Sequence, residues 1–177
     1  MTADWRKVTS PPGPNVLSMV PYRTGPATVE VYVRSLSPDG SPTQEALFDQ
    51  LNALSREGVI DYWTVHVVGK EVCPETATST EPGQFICERI QQFKEWAAEE
   101  DVSFGSFFER RRVSSEMTGE EYDTVVLPSV TLAEFDREGA LQFVTPCFVE
   151  GQQVTPSARL DELLEGSDDA ELAMSSR

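Results

Sequence analysis

The sequence predicts one α+β domain in which a mixed β-sheet carries helices on one face. Valines alternate with other residues at positions 29–34, which indicates a strand, and leucines at helical spacing in residues 43–57 indicate a helix. A second alternating segment at residues 59–68 completes a strand–helix–strand unit, which favours a right-handed crossover. With the later segments the predicted order is β-α-β-α-β-β-β-α. We expect a loosely ferredoxin-like fold, with a thioredoxin-like arrangement as the alternative.

Local signals support each helix of the first half. Leu47, Leu51 and Leu54 fall on one face of the first helix, and Gly58 stands where a C-terminal cap belongs. The second helix begins near Thr80, which is a suitable N-cap residue. Its predicted buried stripe consists of Phe85, Ile86, Ile90, Phe93, Trp96 and Ala97.

The second half is predicted to consist mostly of strands. Residues 108–114 form one strand, and the apolar segment 122–135 forms another. Pro128 interrupts that segment, which suggests a bulge or an edge because proline cannot donate a ladder hydrogen bond. Residues 136–139 make a turn that ends in glycine and leads to a strand at residues 140–149.

The predicted domain has extensions at both ends. A short helix at residues 156–164 completes a single domain that spans residues 27–165. Residues 1–26 are rich in proline and are expected to form a flexible arm. The acidic, small-residue segment 166–177 is expected to be a disordered tail.

The charge balance limits both the environment and the partners. Three lysines and eleven arginines stand against thirty Asp and Glu, which gives a net charge of -16. A surface of this kind repels itself in dilute buffer, and molar salt reduces the Debye length to roughly 3 Å and removes most of the repulsion. We therefore expect a halophilic, cytoplasmic protein. Nucleic-acid binding is disfavoured because it normally requires cations that neutralise phosphates. No membrane segment is predicted, because no apolar run reaches roughly 18 residues.

The three cysteines do not form a recognised framework. Cys73, Cys87 and Cys147 are widely spaced, and a single histidine in the chain nearly excludes a Cys/His zinc site. Cys73 follows a strand end, and Cys147 follows Pro146 in a strand, so these two are the candidate functional thiols if they meet in space. The alternative for Cys147, and the prediction for Cys87, is packing in the core.

Other side chains with reactive or charged groups have ordinary interpretations. His66 lies in a strand with no nucleophile near it in sequence, so we expect a partly buried or surface residue. Arg110, Arg111 and Arg112 form the one basic cluster, and they are either paired with carboxylates or a contact site for an anion. No catalytic motif, metal-binding motif or cofactor-binding motif is present in the sequence. The sequence therefore favours a protein that is not an enzyme and has no cofactor.

Residues 43–68 also resemble the recognition helix and wing of winged-helix regulators. The pattern is weak, because a helix that returns to a sheet looks the same. Gln50, Asn52 and Arg56 are the side chains on this helix that could contact DNA bases or phosphates.

Five short segments between Val29 and Leu164 carry a resemblance to a known family. They are Val29-Glu-Val-Tyr-Val-Arg-Ser-Leu, Val72-Cys73-Pro74, Phe107-Phe108-Glu109, Thr118-Gly-Glu-Glu-Tyr122 and Thr145-Pro146-Cys147. With these segments the chain resembles an uncharacterised family of small haloarchaeal proteins that are often labelled helix-turn-helix domain proteins. The resemblance implies no catalytic residues.

Three functions remain open from the sequence. The first is a non-enzymatic regulatory domain that acts by protein contact, as a homodimer or with another protein, through an uncovered strand edge. The second is a DNA-binding regulator that uses residues 43–68. The third is a thiol-dependent redox protein that uses Cys73 and Cys147.

Overall fold

The computed structural model describes residues 26–36 and 42–175, with side chains for residues 26–36 and 43–166. The arm predicted for residues 1–26 lies outside the described residues, apart from Pro26. The described residues form the following strands and helices: β1 (Thr28–Val33), α1 (Pro42–Arg56), β2 (Tyr62–Val67), β3 (Glu71–Val72), α2 (Pro74–Ala77), α3 (Glu81–Glu100), β4 (Arg110–Ser114), β5 (Glu121–Val126), β6 (Val130–Phe135), β7 (Leu141–Thr145), β8 (Cys147–Val149), β9 (Gln152–Val154) and α4 (Pro156–Ser175).

A four-stranded mixed sheet in the order β2-β1-β6-β7 forms the centre of the fold. Strand β1 pairs in parallel with β2, with Val31 opposite Val65. On its other side β1 pairs antiparallel with β6, where Leu132 lies opposite Val31, and β6 pairs antiparallel with β7. Helix α1 is therefore the crossover of an adjacent strand–helix–strand unit.

The predicted α+β class and mixed sheet are confirmed, but two details of the prediction need correction. A ferredoxin-like fold is built on a split βαβ unit, in which another strand lies between the two parallel strands. Here β1 and β2 are direct neighbours. The helices, which we expected on one face, cover both faces of the sheet. The arrangement is closer to the thioredoxin-like alternative.

The first face of the central sheet packs against α1 and α4. Strand β1 alternates, and its valines at 29, 31 and 33 all point to this face. They meet the predicted leucine stripe of α1, and Leu160 of α4 packs beside it. The face is closed to solvent because these residues are at most 2% exposed.

The opposite face packs against α3. Tyr32 lies on this face of β1, and its ring makes an edge contact with Phe93 of α3 at 5.7 Å between centroids. The predicted stripe of α3 is confirmed at Ile86, Ile90, Phe93, Trp96 and Ala97, which are buried, while Phe85 is half-buried. Glycine and proline are absent from the middle of α3, so this long helix continues without a break.

Strands from before and after α3 build a second, smaller sheet. Strands β3, β5 and β4 pair antiparallel in the order β3-β5-β4, and β8 and β9 form a separate hairpin. The segment 122–135, which we expected to be one interrupted strand, is two strands in different sheets. The chain changes sheet around Pro128, consistent with the missing backbone donor there.

The sequence predicted the start of α3 correctly, but it placed the end of α4 too early. Thr80 caps α3, because its hydroxyl accepts a hydrogen bond from the Gly83 amide at 3.2 Å. Asp101 ends α3 in the left-handed conformation, with φ of 57°. Helix α4 continues to Ser175, so residues 166–175 of the segment that was predicted to be a disordered tail extend this helix.

Candidate functional site

A cavity lies where the parallel strands of the central sheet end. It has a volume of about 520 Å³ and is bounded by β2, β3, α2 and the first turn of α3. Its lining combines apolar side chains with polar groups from His66, Glu71, Cys73, Thr76 and Thr80. Ligand sites in sheets of this type favour the carboxyl ends of the strands, and this volume is in the range of small-molecule pockets.

His66 is half-buried in the wall of this cavity, as the sequence predicted. Its ring stacks on Tyr32 at 5.2 Å between centroids and lies 5.0 Å from Phe85. Its polar contact is with the Thr64 hydroxyl of the same strand at 3.4 Å. A general base needs a substrate or nucleophile within hydrogen-bond reach, and these neighbours are structural.

Behind the histidine, a polar network connects β1 to α3. Arg89 donates two hydrogen bonds to the two carboxylate oxygens of Glu30, each of 2.9 Å, and the Tyr32 hydroxyl donates to the same carboxylate. Burial, reinforced by Glu30, raises the pKa of Tyr32 well above its ordinary value. Because every strong polar group here has a partner, the network supports the cavity wall rather than offering a free reactive group.

The structure gives the candidate thiols different neighbours. Cys73 is half-buried at the start of α2 and lines the cavity. Burial is the main cause that raises the pKa of Cys87. Arg110 opposes this rise and Cys73 adds to it, so Cys73 and Cys87 are electrostatic neighbours. Cys147 is completely buried, and burial raises its pKa to about 12.

Cys147 interacts with a different set of charges. The further contributions to its pKa come from Arg159, which lowers it, and Glu134, which raises it. All three cysteines are free thiols. A functional pairing of Cys73 with Cys147 therefore stays a prediction, and the core role weighed for Cys147 agrees with its burial.

A buried ion pair beside Cys147 is a feature that the sequence analysis missed. Arg159 of α4 and Glu134 of β6 are 2% and 1% exposed, and they are joined by hydrogen bonds of 2.9 and 3.1 Å. Arg159 also donates to Glu162 at 2.6 Å. The available signal was a single carboxylate inside the apolar segment 130–135, on the face that meets α4.

The three consecutive arginines lie on β4, an edge strand of the smaller sheet. Arg110 contacts Asp123 at 3.7 Å, and Arg112 contacts the same carboxylate at 3.2 Å. Arg111 points to the opposite face of the strand, since neighbouring residues alternate. It is exposed and has no ion-pair partner among the described residues. Arg110 and Arg112 are therefore paired with carboxylates, and contact of the cluster with an anion stays a prediction.

Three residues (78–80) join α2, a single turn of four residues, to the long helix α3. The two helices approach closely at Gly83, where a Cβ atom would lie 1.9 Å from the carbonyl oxygen of Ala77. Strand β3 precedes the pair, and the hairpin β4–β5 follows it. We call residues 71–126 the helix–hairpin unit. It has the helix-and-wing order that the sequence pattern suggested for residues 43–68.

Residues 43–68 themselves take a different place in the fold. The strand after α1 is not a wing, because β2 pairs in parallel with β1 in the central sheet. Gln50 donates to Asp161 of α4, and the Asn52 side-chain oxygen accepts from Trp63 at 3.3 Å. Arg56 is exposed, and its Nε atom lies 3.4 Å from the carbonyl oxygen of Asn52. DNA contact by these three residues stays a prediction, with two of them engaged within the fold.

The described residues contain no group of three or more His, Cys, Asp or Glu side chains that could hold a metal ion. None of the helices in the described part of the chain is both long enough and apolar enough to span a membrane.

A family model described as a helix-turn-helix domain matches residues 21–168, which is more than four-fifths of the chain. The chain therefore belongs to the helix-turn-helix domain family. No curated protein and no solved structure matches it.

Proposed function

We propose that this member of the helix-turn-helix domain family is a non-enzymatic regulator that contacts DNA through its helix–hairpin unit, residues 71–126. The observation that carries the proposal is the order of that unit. A strand, two helices joined by three residues and an antiparallel hairpin follow one another within the matched region. In helix-turn-helix proteins the second helix of the pair faces the major groove.

The exposed side chains of the unit indicate which of them could contact DNA bases and which could contact phosphates. The exposed face of α3 carries Gln84 and Gln91, a residue type that reads adenine edges, beside Lys94. It also carries Glu88 and Glu95, which repel phosphates. The exposed cations of the unit are therefore Lys94 on α3 and the arginines of the hairpin, among which Arg111 has no ion-pair partner within the described residues.

This charge distribution requires concentrated salt. At molar KCl the Debye length is roughly 3 Å, so the carboxylates of α3 act only on groups in direct contact. Each neutralised phosphate contributes about 0.9 to the slope of log K against log salt. With Lys94 on α3 and three arginines on β4, we expect a slope of magnitude below about 4, shallower than that of a basic regulator.

The test is a selection from a fluorescein-labelled 30-base-pair random duplex library, followed by anisotropy titrations in 0.5 to 3 M KCl. We expect saturable binding that Arg111→Ala weakens about tenfold. Arg56→Ala on α1 and Arg137→Ala near the central sheet remove the same charge elsewhere and serve as controls. Circular dichroism checks that each variant folds.

Two results would refute the proposal. One is the absence of any enriched sequence over the whole salt range. The other is a loss of affinity in Arg56→Ala with Arg111→Ala unchanged, which would return the contact to residues 43–68.

A regulator that acts only by protein contact is the second candidate, and strand β2 is the observation that favours it. This strand is an edge of the central sheet without a charged residue. The absence of DNA binding, together with a folded protein, would favour this candidate over the first.

A further inference from the structure

Strand β2 has a free edge within the described part of the chain, where it pairs only with β1. The Val68 amide donates to the Val33 carbonyl of β1 at 2.9 Å. Because successive residues of a strand direct their amide and carbonyl groups to opposite sides, the backbone groups of Trp63, Val65 and Val67 point away from β1. These residues form an open ladder.

This edge lacks the usual features that prevent pairing. Charged side chains, proline and bulges protect most natural edge strands. Strand β4 carries three arginines, and at β7 the Trp96 indole donates to the Gln142 carbonyl at 3.1 Å. Residues 62–69, in contrast, contain no Asp, Glu, Lys, Arg or Pro. Tyr62 and Val67 are 58% and 56% exposed, although both are large and apolar.

We propose that β2 pairs antiparallel with β2 of a second copy of this chain, so that two central sheets join into one of eight strands. A two-fold axis through Val65 places Trp63 of each copy opposite Val67 of the other. The outward backbone groups then satisfy one another, and each exposed Val67 side chain is covered. An interface of this kind is self-complementary, as a two-fold axis requires.

Charge complementarity favours a second copy as the occupant. The uncharged segment is flanked by Asp61 at one end and Lys70 at the other, and both are exposed. Antiparallel pairing about Val65 places Asp61 of one copy opposite Gly69 of the other and one residue from its Lys70, twice by symmetry. Within its own chain Asp61 also contacts Arg137 at 3.6 Å, and its side chain is about half exposed. Elsewhere two copies of charge -16 repel, so this edge is where they can approach.

The test is sedimentation equilibrium of the full-length chain in about 0.5 M KCl, where exposed charges are only partly screened. We expect a dimer whose affinity falls about tenfold in Asp61→Lys and about tenfold in Lys70→Glu. The double variant Asp61→Lys/Lys70→Glu restores the pairing with its signs reversed, and its affinity returns to within about threefold of the original.

The two single variants separate pairing from net charge. Asp61→Lys makes the chain less negative, so repulsion between whole molecules alone would strengthen the dimer, whereas the proposed pairing weakens it. Met117→Lys adds positive charge on a hairpin residue that is 97% exposed, and it controls for this effect.

Hydrogen exchange of the full-length chain supplies a second measurement. The amides of Trp63, Val65 and Val67 should exchange more slowly as the protein concentration rises through the dimerisation range. A monomer whose three amides are protected at every concentration would overturn the proposal, because another segment of the chain would then cover the edge. A monomer with rapid exchange, or a dimer unaffected by either charge variant, would overturn it as well.

Discussion

The buried ion pair between Arg159 and Glu134 gives the sharpest prediction about stability. Arg159→Met keeps much of the side-chain length and removes the charge. Glu134, which is 1% exposed, then loses the two hydrogen bonds of 2.9 and 3.1 Å that the guanidinium donates. Arg159 also lies over the Phe143 ring at 4.5 Å, and the methionine can preserve part of that contact.

The expected loss follows from burial. Removing one partner of a buried pair leaves an uncompensated charge and costs about 3–5 kcal/mol. For a chain of this length that corresponds to a fall in Tm of about 6–20 °C. Replacing both partners, as in Arg159→Met/Glu134→Leu, removes the buried charge altogether. We expect the double variant to recover most of the loss, since apolar replacement of a buried pair is often neutral.

The assay is urea unfolding in 2 M KCl, followed by circular dichroism at pH 7. Two results would refute the reasoning: a loss below about 1 kcal/mol in the single variant, or a double variant as unstable as the single one.

Three further outcomes are expected from contacts elsewhere in the fold. Burial raises the pKa of Tyr32, so the folded protein should lose stability as the pH rises above about 10, and Tyr32→Phe should reduce that alkaline loss. A spectrophotometric titration in which all tyrosines ionise together before unfolding would contradict this. Iodoacetamide labelling followed by mass spectrometry should modify Cys73 first, Cys87 more slowly and Cys147 only on unfolding, because burial raises the pKa of Cys147 to about 12. Early labelling of Cys147 would contradict its burial. Gly83→Ala should destabilise the chain by about 1–3 kcal/mol, because the new Cβ atom would meet the Ala77 carbonyl. Gly166 of α4 has open space around it, so Gly166→Ala should stabilise the chain by up to about 1 kcal/mol. Equal effects of the two variants in urea unfolding would show that α2 and α3 do not approach as described.

Local periodicity was sufficient to identify the main elements of this fold. The alternating valines of β1 and the leucine stripe of α1 each point to one surface, because burial on one side imposes a period on the sequence. The capping residue Thr80 and the stripe that follows it located α3 for the same reason. These signals depend on residues that are near one another in the chain.

The arrangement of the elements was harder to predict because it depends on contacts between distant residues. The sequence pattern of β1 and of β2 is the same whether the two strands are neighbours or have another strand between them. The break at Pro128 indicated an interruption, but not that β5 and β6 belong to different sheets. The short strand β3 and the single-turn helix α2 contain too few residues to show any period.

The place of residues 43–68 in the fold could not be predicted for a related reason. A helix followed by a strand has one sequence pattern, whether the strand is a wing or the second strand of a parallel crossover. The hydrogen-bond partner of β2 decides between them, and that partner is β1, more than thirty residues earlier. Similarly, Glu30 and Arg89 are ordinary surface residues in sequence, and only the packing of α3 on the central sheet brings them together.

If the protein both dimerises through β2 and contacts DNA through the helix–hairpin unit, its DNA site should have a defined symmetry. A two-fold axis that joins two β2 strands is perpendicular to the sheet, so it leaves both copies of α3 on the same face. Only residues 68–70 separate β2 from the helix–hairpin unit, so each unit is held at a fixed distance from that axis. A duplex laid along this face would meet two units in opposite orientations. Sequences enriched by selection should therefore contain two inverted half-sites with one fixed spacing, and Asp61→Lys should weaken binding to the paired site far more than to a single half-site. A dimer in solution that selects only unpaired, asymmetric sites would show that the β2 interface and the DNA contact do not operate together.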